Sequence, residues 1–279
     1  MEKYELLPKQ LLHEGTANES DFIVPDSLEI EKVLSVHSAA YWDRLSNLQL
    51  SDREQRVSGF VHSQELIQRE LCIMEGTRRL AEEALTKKLG FNIAGGTHHA
   101  FVDRGEGFCL LNDQVIAAND LLTQQGIQKI LIIDLDVHQG NGTAAMLQDD
   151  DRVFTFSMHG RNNYPLQKEQ SNLDVELDDG IQDKAYLHLL SEHLDRILSS
   201  FTPEFIFYQC GVDILASDKL GKLGVSMKGC QERDRLVFDA VRQLNVPVVC
   251  TMGGGYSPQI KDIVEAHAQT FRVGMHTIL

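Results

Sequence analysis

The chain has 279 residues, 42% of them hydrophobic and 24% charged, with a net charge of −15 and a pI near 5.1. That length supports one sizeable core, and the acidic balance without a basic patch excludes nucleic acid as the expected partner. The acidic surface would suit a basic protein or a polyamine, although acidity also serves solubility alone.

From the amino terminus, Met1-Glu2-Lys3-Tyr4-Glu5 is too charged for a signal peptide. No apolar run approaches the length of a membrane span, so no membrane partner is expected. The first ninety or so residues read as helical and polar. Glu65–Lys88 is the clearest helix, with Leu66, Ile67, Leu71, Ile73 and Leu80 along an apolar side. From about Asn92 strands and helices alternate. The expected strands are 92–94, 129–134, 152–157, 204–210 and 246–252. The expected helices are 111–124, 184–200, 228–244 and 259–274. Such alternation predicts a single α/β domain over 1–279, mainly helical to residue 90, with a mostly parallel central sheet flanked by helices. The cysteines Cys72, Cys109, Cys210, Cys230 and Cys250 are scattered and form no C-x-x-C pair. They argue against a disulfide framework or a cysteine zinc cluster, and a reducing, cytoplasmic location is the expectation.

In folds of this class ligands bind beyond the carboxyl ends of the strands, and the chemically capable side chains collect there. Gly95-Gly96-Thr97-His98-His99 follows one strand and Asp134-Leu135-Asp136-Val137-His138 ends the next. Gly211-Val212-Asp213 follows a third, and Gly253-Gly254-Gly255-Tyr256 a fourth. Side chains alternate along a strand, so Asp134, Asp136 and His138 start on one side. Such a group at a buried strand end calls for a compensating divalent cation. Glycines 140 and 142 are expected to let the backbone turn away sharply. Asp136, His138 and Asp213 have the character of a three-ligand site with an open position, suited to Zn²⁺ or Fe²⁺. Either aspartate alone would read as a capping residue; the convergence of three separates the two readings. His98 and His99 can supply a general base and a charge. Asp134 and Asn141 can each accept a hydrogen bond from an imidazole and fix its tautomer. Tyr256, behind three glycines, can donate to an oxyanion. Gly107 and Phe108, within Gly105-Glu106-Gly107-Phe108-Cys109, and Tyr164 opposite them, are candidate walls of a substrate channel. Among the other histidines only His159, which follows a strand, invites attention.

These motifs, together with Gly107-Phe108-Cys109, His138-Gln139-Gly140-Asn141-Gly142-Thr143, Asp103-Arg104-Gly105-Glu106-Gly107 and Arg233-Asp234-Arg235-Leu236-Val237-Phe238, resemble the zinc-dependent histone deacetylase family. The likeness is greatest to the class IV type and its microbial relatives, from about Tyr4 to Val273. The resemblance implies an arginase/deacetylase-like α/β domain and hydrolysis of an acyl-lysine amide. It assigns the metal to Asp136, His138 and Asp213, the paired histidines to His98 and His99 (His99 as general base and acid), and the oxyanion donor to Tyr256. Asp134 and Asn141 are the acceptors behind the two histidines, and a structural K⁺ or Na⁺ is implied as well. The substrate is an acylated lysine in a peptide or protein. A small acylated amine such as an acetylpolyamine is the alternative, and a catalytically weakened acyl-lysine-binding relative is a third reading. A two-manganese ureohydrolase would need more bridging aspartates.

Two departures are noted. Family members usually carry a strand and loop upstream of the helix near Lys3. Without them a sheet edge would be exposed, homo-oligomerisation favoured or activity weakened. An acidic rim residue found in some members has no counterpart around Ser58-Gly59-Phe60-Val61-His62.

Overall fold

The computed structural model describes residues 2–279. Six parallel strands form one sheet: β1 (Leu89–Asn92), β2 (Ile130–Asp134), β3 (Val153–Gly160), β4 (Leu173–Leu177), β5 (Phe205–Gln209) and β6 (Val248–Thr251), in the spatial order β1-β6-β5-β2-β3-β4. The expected α/β domain is therefore present, and its sheet is wholly parallel.

β2 explains why. Its residues are buried on both faces. Leu131 and Ile133 pack with Leu190, Val237 and Phe238, whereas Ile130 and Ile132 pack with Val115, Ala118 and Leu121. A strand covered on both sides carries no polar alternation, which is the pattern of parallel sheets. One cover is made by helices α8 (Asp183–Ser200), α9 (Met227–Leu244) and α10 (Ile260–Ile278). The other is made by α5 (Gln64–Lys87) and α6 (Asp113–Gln124). Before them, α1 (Lys3–His13) lies on α10 through Leu7 and Leu11, and the short helices α2 (Ile30–Leu34) and α3 (Ala39–Ser46) pack around Leu110 and Leu111, with α4 (Asp52–Ser58) between them and α5 in the chain.

The differences from expectation are local. β1 begins and ends earlier than expected: Asn92 turns its side-chain oxygen back to the Ala94 N–H at 3.1 Å, and this Asx turn ends the strand. β4 is an unexpected edge strand whose Leu-Asp-Val-Glu-Leu sequence alternates as a half-covered strand does. A short helix, α7 (Asn141–Leu147), starts within Gly140-Asn141-Gly142 with Gly140 as its N-cap, and α10 runs past residue 274.

The topology makes the crevice. From β2 the chain moves to β3 and β4 on one side. It then returns to β5 on the other side of β2 and continues to β6. The connections leaving the adjacent strands β2 and β5 therefore diverge, which opens a cleft at their carboxyl ends. The strand ends are level there: Asp134 is in register with Gln209, and Gln209 and Asn92 both with Thr251. Loops from four neighbouring strands thus reach one place.

Candidate active site

Each of these loops is fixed by buried polar contacts. The loop after β1 is held by Asp113 in the first turn of α6, which is fully buried. Its carboxylate accepts from Gly96 N–H (3.0 Å), Thr97 N–H (2.9 Å), the Thr97 hydroxyl (2.8 Å) and the Thr77 hydroxyl (2.6 Å). Gln209 of β5 donates to Gly96 O at 3.0 Å. Asn112, the N-cap of α6, donates to Ala100 O (3.2 Å) and to the Thr143 hydroxyl (3.0 Å), joining this loop to α7. Buried His37 donates through Nδ1 to Phe101 O (2.9 Å) and accepts Asn112 N–H at Nε2 (3.0 Å), a satisfied structural histidine.

The loop after β5 rests on a buried ion pair. Arg233 and Asp234 are both fully buried. Arg233 donates to Gly211 O (2.5 Å) and Cys210 O (3.3 Å), and its Nε meets Asp234 Oδ1 at 2.9 Å. Tyr208 and Thr270 hydroxyls donate to the same carboxylate at 2.5 and 2.7 Å. The backbone leading to Asp213 therefore depends on α9 and α10. Thr270→Val keeps the shape but leaves Asp234 Oδ2 without its hydroxyl donor. Hydrogen bonds to charged groups contribute about 1.5–3 kcal/mol, so this variant is expected to lose that much in urea unfolding with the fold retained. Unchanged stability would show that the Thr270 bond contributes nothing.

At the convergence, Asp136, His138 and Asp213 offer ligand atoms that all lie within 4.8 Å of one another, the only such group of three among the described residues. His138 Nδ1 is 3.1 Å from Asp136 Oδ1 and 3.1 Å from Asp213 Oδ2. The carboxylates are aimed by backbone donors: Gly254 N–H to Asp136 Oδ2 (2.8 Å), His138 N–H to Asp136 Oδ1 (3.0 Å) and Val137 N–H to Asp213 Oδ1 (2.9 Å). Burial and the Asp136 charge push the Asp213 carboxyl up to about 7. Burial likewise opposes charge on His138, yet its two carboxylate partners raise it to about 10; burial also opposes charge on Asp136, but the His138 and His98 imidazoles together hold it well below the carboxylate range. Two acids and a base packed this tightly out of water share protons where a cation would neutralise both acids. The donor set, one nitrogen and carboxylate oxygens, fits a divalent metal of the zinc or iron(II) kind.

Asp134 is not part of this group. The strand ends at Asp134, and its Oδ2 lies 2.7 Å from His98 Nδ1 while Oδ1 accepts Asp136 N–H at 3.1 Å. It is thus both an imidazole acceptor and a loop amide acceptor. Asn141 Oδ1 lies 2.6 Å from His99 Nδ1. The His98 and His99 imidazoles lie 4.1 Å apart between centroids, tilted by 49°. Burial opposes the charge on His98, but Asp134 prevails and raises it to about 9. Burial, then the charges of His98 and His138, push His99 well below its usual value.

Tyr256 and the three channel candidates, Gly107, Phe108 and Tyr164, line the same cavity of about 1180 Å³ with the histidines and the three-residue cluster. Tyr256 is 37% exposed, Phe108 50% and Tyr164 39%, so all three are accessible from outside. Tyr164 stands edge-on to His99 at 5.1 Å, and Phe108 faces Tyr256 at 6.5 Å. Gly107, at φ +51°, lies so close that an added Cβ would come within 2.7 Å of His99 Cδ2. Burial and the Asp213 and Asp136 carboxylates push the Tyr256 phenol up.

Glycines 140 and 142 depart from expectation. Neither has a positive φ. They are required for room: a Cβ on Gly140 would strike Asp134 Oδ2, and one on Gly142 would strike Ala100 O. His159 is not brought to the site; it is buried within β3 with Nδ1 2.9 Å from the Ser157 hydroxyl. Two further residues at the site were not singled out from sequence. Lys3 reaches the cavity, its Nζ 3.1 Å from Gly253 O and 5.3 Å from the Tyr256 ring centre. Glu106 accepts from the Tyr164 hydroxyl at 2.7 Å. Its place in the Gly105–Cys109 motif was the available signal; for Lys3 there was none.

This architecture is the arginase/deacetylase fold. An HDAC homolog solved in complex with SAHA matches 95% of this chain and 76% of its own with a TM-score of 0.82 and 25% identity. An HDAC homolog from Aquifex aeolicus matches 96% and 77% at a TM-score of 0.83 and 24% identity. Histone deacetylase 2 of Arabidopsis thaliana is 33% identical over 265 residues, 91% of this chain and 68% of that one. An uncharacterized protein of Picosynechococcus sp. is 41% identical over 272 residues, 98% and 91%. The histone deacetylase domain model matches residues 1–271. The chain belongs to the histone deacetylase family, and family and fold together support a hydrolytic deacetylase. No helix among the described residues is long and apolar enough to cross a membrane.

Proposed function

We propose that this protein is a zinc-dependent deacetylase of acyl-lysine side chains in peptides or proteins. The observation that carries the reading is the Asp136–His138–Asp213 cluster beside two buried imidazoles in one large cavity. Zn²⁺, or Fe²⁺ in its place, would be held by those three residues; when bound it supplies Lewis acidity toward a carbonyl oxygen and a water. The structural K⁺ or Na⁺ implied by family likeness belongs to the same reading, as does a cytoplasmic location, which the free and mostly buried cysteines favour.

The chain's own groups perform the proton transfers. His99, hydrogen-bonded at Nδ1, presents Nε2 to take the proton of the attacking water and return it to the lysine amine as the C–N bond breaks. His98, paired with Asp134, contributes positive charge rather than basicity. Tyr256 donates from its phenol to the carbonyl oxygen as charge builds there. Phe108 and Tyr164, with Gly107 beside His99, wall the passage for an apolar lysine stem.

A peptide is favoured over a polyamine by charge. Of the exposed charged residues lining the cavity, Lys219 and Lys222 are cationic and only Glu5 is acidic. A polycationic amine would meet like charge there. The test is turnover on acetyl-lysine peptides, longer acyl-lysine peptides and acetylpolyamines, before and after chelation and with metal analysis. Hydrolysis of the peptides, lost on chelation and restored by Zn²⁺, is expected. Preference for acetylpolyamines would overturn the substrate assignment, and unchanged hydrolysis after complete metal removal would overturn the mechanism.

A further inference from the structure

The two imidazoles have unequal partners. His98 meets a carboxylate, which accepts a hydrogen bond from either oxygen. His99 meets the amide of Asn141, which accepts at one end and donates at the other. Only one of its two orientations serves. With Oδ1 toward His99, Nδ1 carries the hydrogen and Nε2 keeps a free lone pair. With the amide reversed, Nδ2 would donate to Nδ1, and the hydrogen would move to Nε2, where a base needs none. An asparagine therefore requires something else to choose its orientation.

The geometry points to Glu106 as the residue that makes this choice, a positioning residue that sets the His99 tautomer through Asn141. Asn141 Nδ2 lies 3.4 Å from Glu106 Oε2, and Asn141 Oδ1 lies 2.6 Å from His99 Nδ1. A carboxylate offers only acceptors, so the reversed amide would set oxygen against oxygen at that contact. Glu106 is itself held. Arg104 Nε donates to Oε1 at 2.7 Å, which leaves Oε2 turned toward Asn141 and the Tyr164 hydroxyl, the latter also at 2.7 Å. Its own carbonyl accepts Cys109 N–H at 2.8 Å, which closes the turn that carries Phe108. One carboxylate thus ties the acceptor behind His99 to the Tyr164 wall of the passage. This inference rests on the deacetylase reading for its kinetic arm only.

A double-mutant cycle with Asn141 tests it, because an aspartate at 141 accepts at either end and needs no director. E106Q, in the natural background, is expected to lower kcat by about 10–100-fold with KM nearly unchanged, the range for removal of an outer hydrogen-bonding partner. In the N141D background, where Glu106 would face a second carboxylate across this contact, the same change removes no orientation cue and is expected not to lower kcat. Tyr164→Phe separates the channel role: it should raise KM and leave the His99 tautomer alone. The second readout needs no activity. The imidazole ¹⁵N shifts of His99, assigned with a His99→Gln variant, should report Nδ1–H in the parent and a mixture or Nε2–H in E106Q. Equal kcat losses in both backgrounds, or an unchanged His99 tautomer in E106Q, would overturn the proposal. A parent that hydrolyses none of the panel but changes tautomer in E106Q would instead sink the deacetylase reading and leave this one standing.

Discussion

His99→Gln lowers kcat by about 10²–10⁴, the span typical of a positioned general base, whereas His98→Gln lowers it less. The asymmetry comes from the partners. A neutral amide at 2.6 Å leaves His99 a base, while a carboxylate at 2.7 Å favours His98 as a cation. A group that already holds its proton accepts no second one from water. Neither histidine belongs to the three-residue cluster, so metal content measured on both variants should equal that of the parent. Glutamine retains a side-chain amide near the position of the lost ring nitrogen, which limits collapse of the buried pocket. Steady-state kinetics on an acetyl-lysine peptide, with metal analysis of each sample, checks the prediction. A larger loss for His98→Gln with full metal occupancy would exchange the two roles.

Much of this arrangement was legible beforehand because parallel sheets write themselves plainly. Ile130–Ile133 reads as one apolar run because helices cover both faces of β2, and the polar residues beyond it must lie at its carboxyl end. The meeting of Asp136 with Asp213 follows from that rule because β2 and β5 are neighbours in register, a pairing that only the structure supplies. What was not legible depended on contacts distant in sequence. β4 is an edge strand whose half-exposed alternation is weak in five residues. The need for glycine at 140 and 142 reflects the Asp134 carboxylate and the Ala100 carbonyl, not local turn chemistry. Lys3 lies 250 residues from the carbonyl it reaches, and no local pattern announces such a contact. Glu106 was visible as a letter inside a motif. Its meaning required knowing that the Asn141 amide has a direction and that Tyr164 shares the same oxygen.

Tyr256→Phe retains the fold and the metal and lowers kcat by about 10²–10³, the cost of one lost oxyanion donor. The backbone of this loop does not depend on the phenol. Gly254 N–H is held by Asp136 at 2.8 Å and Tyr256 N–H by Asp218 at 2.6 Å. The ring contacts to Phe108 and Lys3 survive in phenylalanine. Only the hydroxyl is removed, and it stands in the cavity shared with the cluster. Because charge on the carbonyl oxygen develops mainly in the transition state, ground-state binding should hardly change, and KM should stay within about twofold while kcat falls. An intermediate outcome also discriminates: a rise in KM with kcat preserved would make Tyr256 a wall of the passage rather than a donor. Parent turnover in this variant, with metal content equal, would remove the phenol from the chemistry and leave Lys3, whose Nζ lies 5.3 Å from that ring centre, as the group to examine for stabilising charge in the cavity.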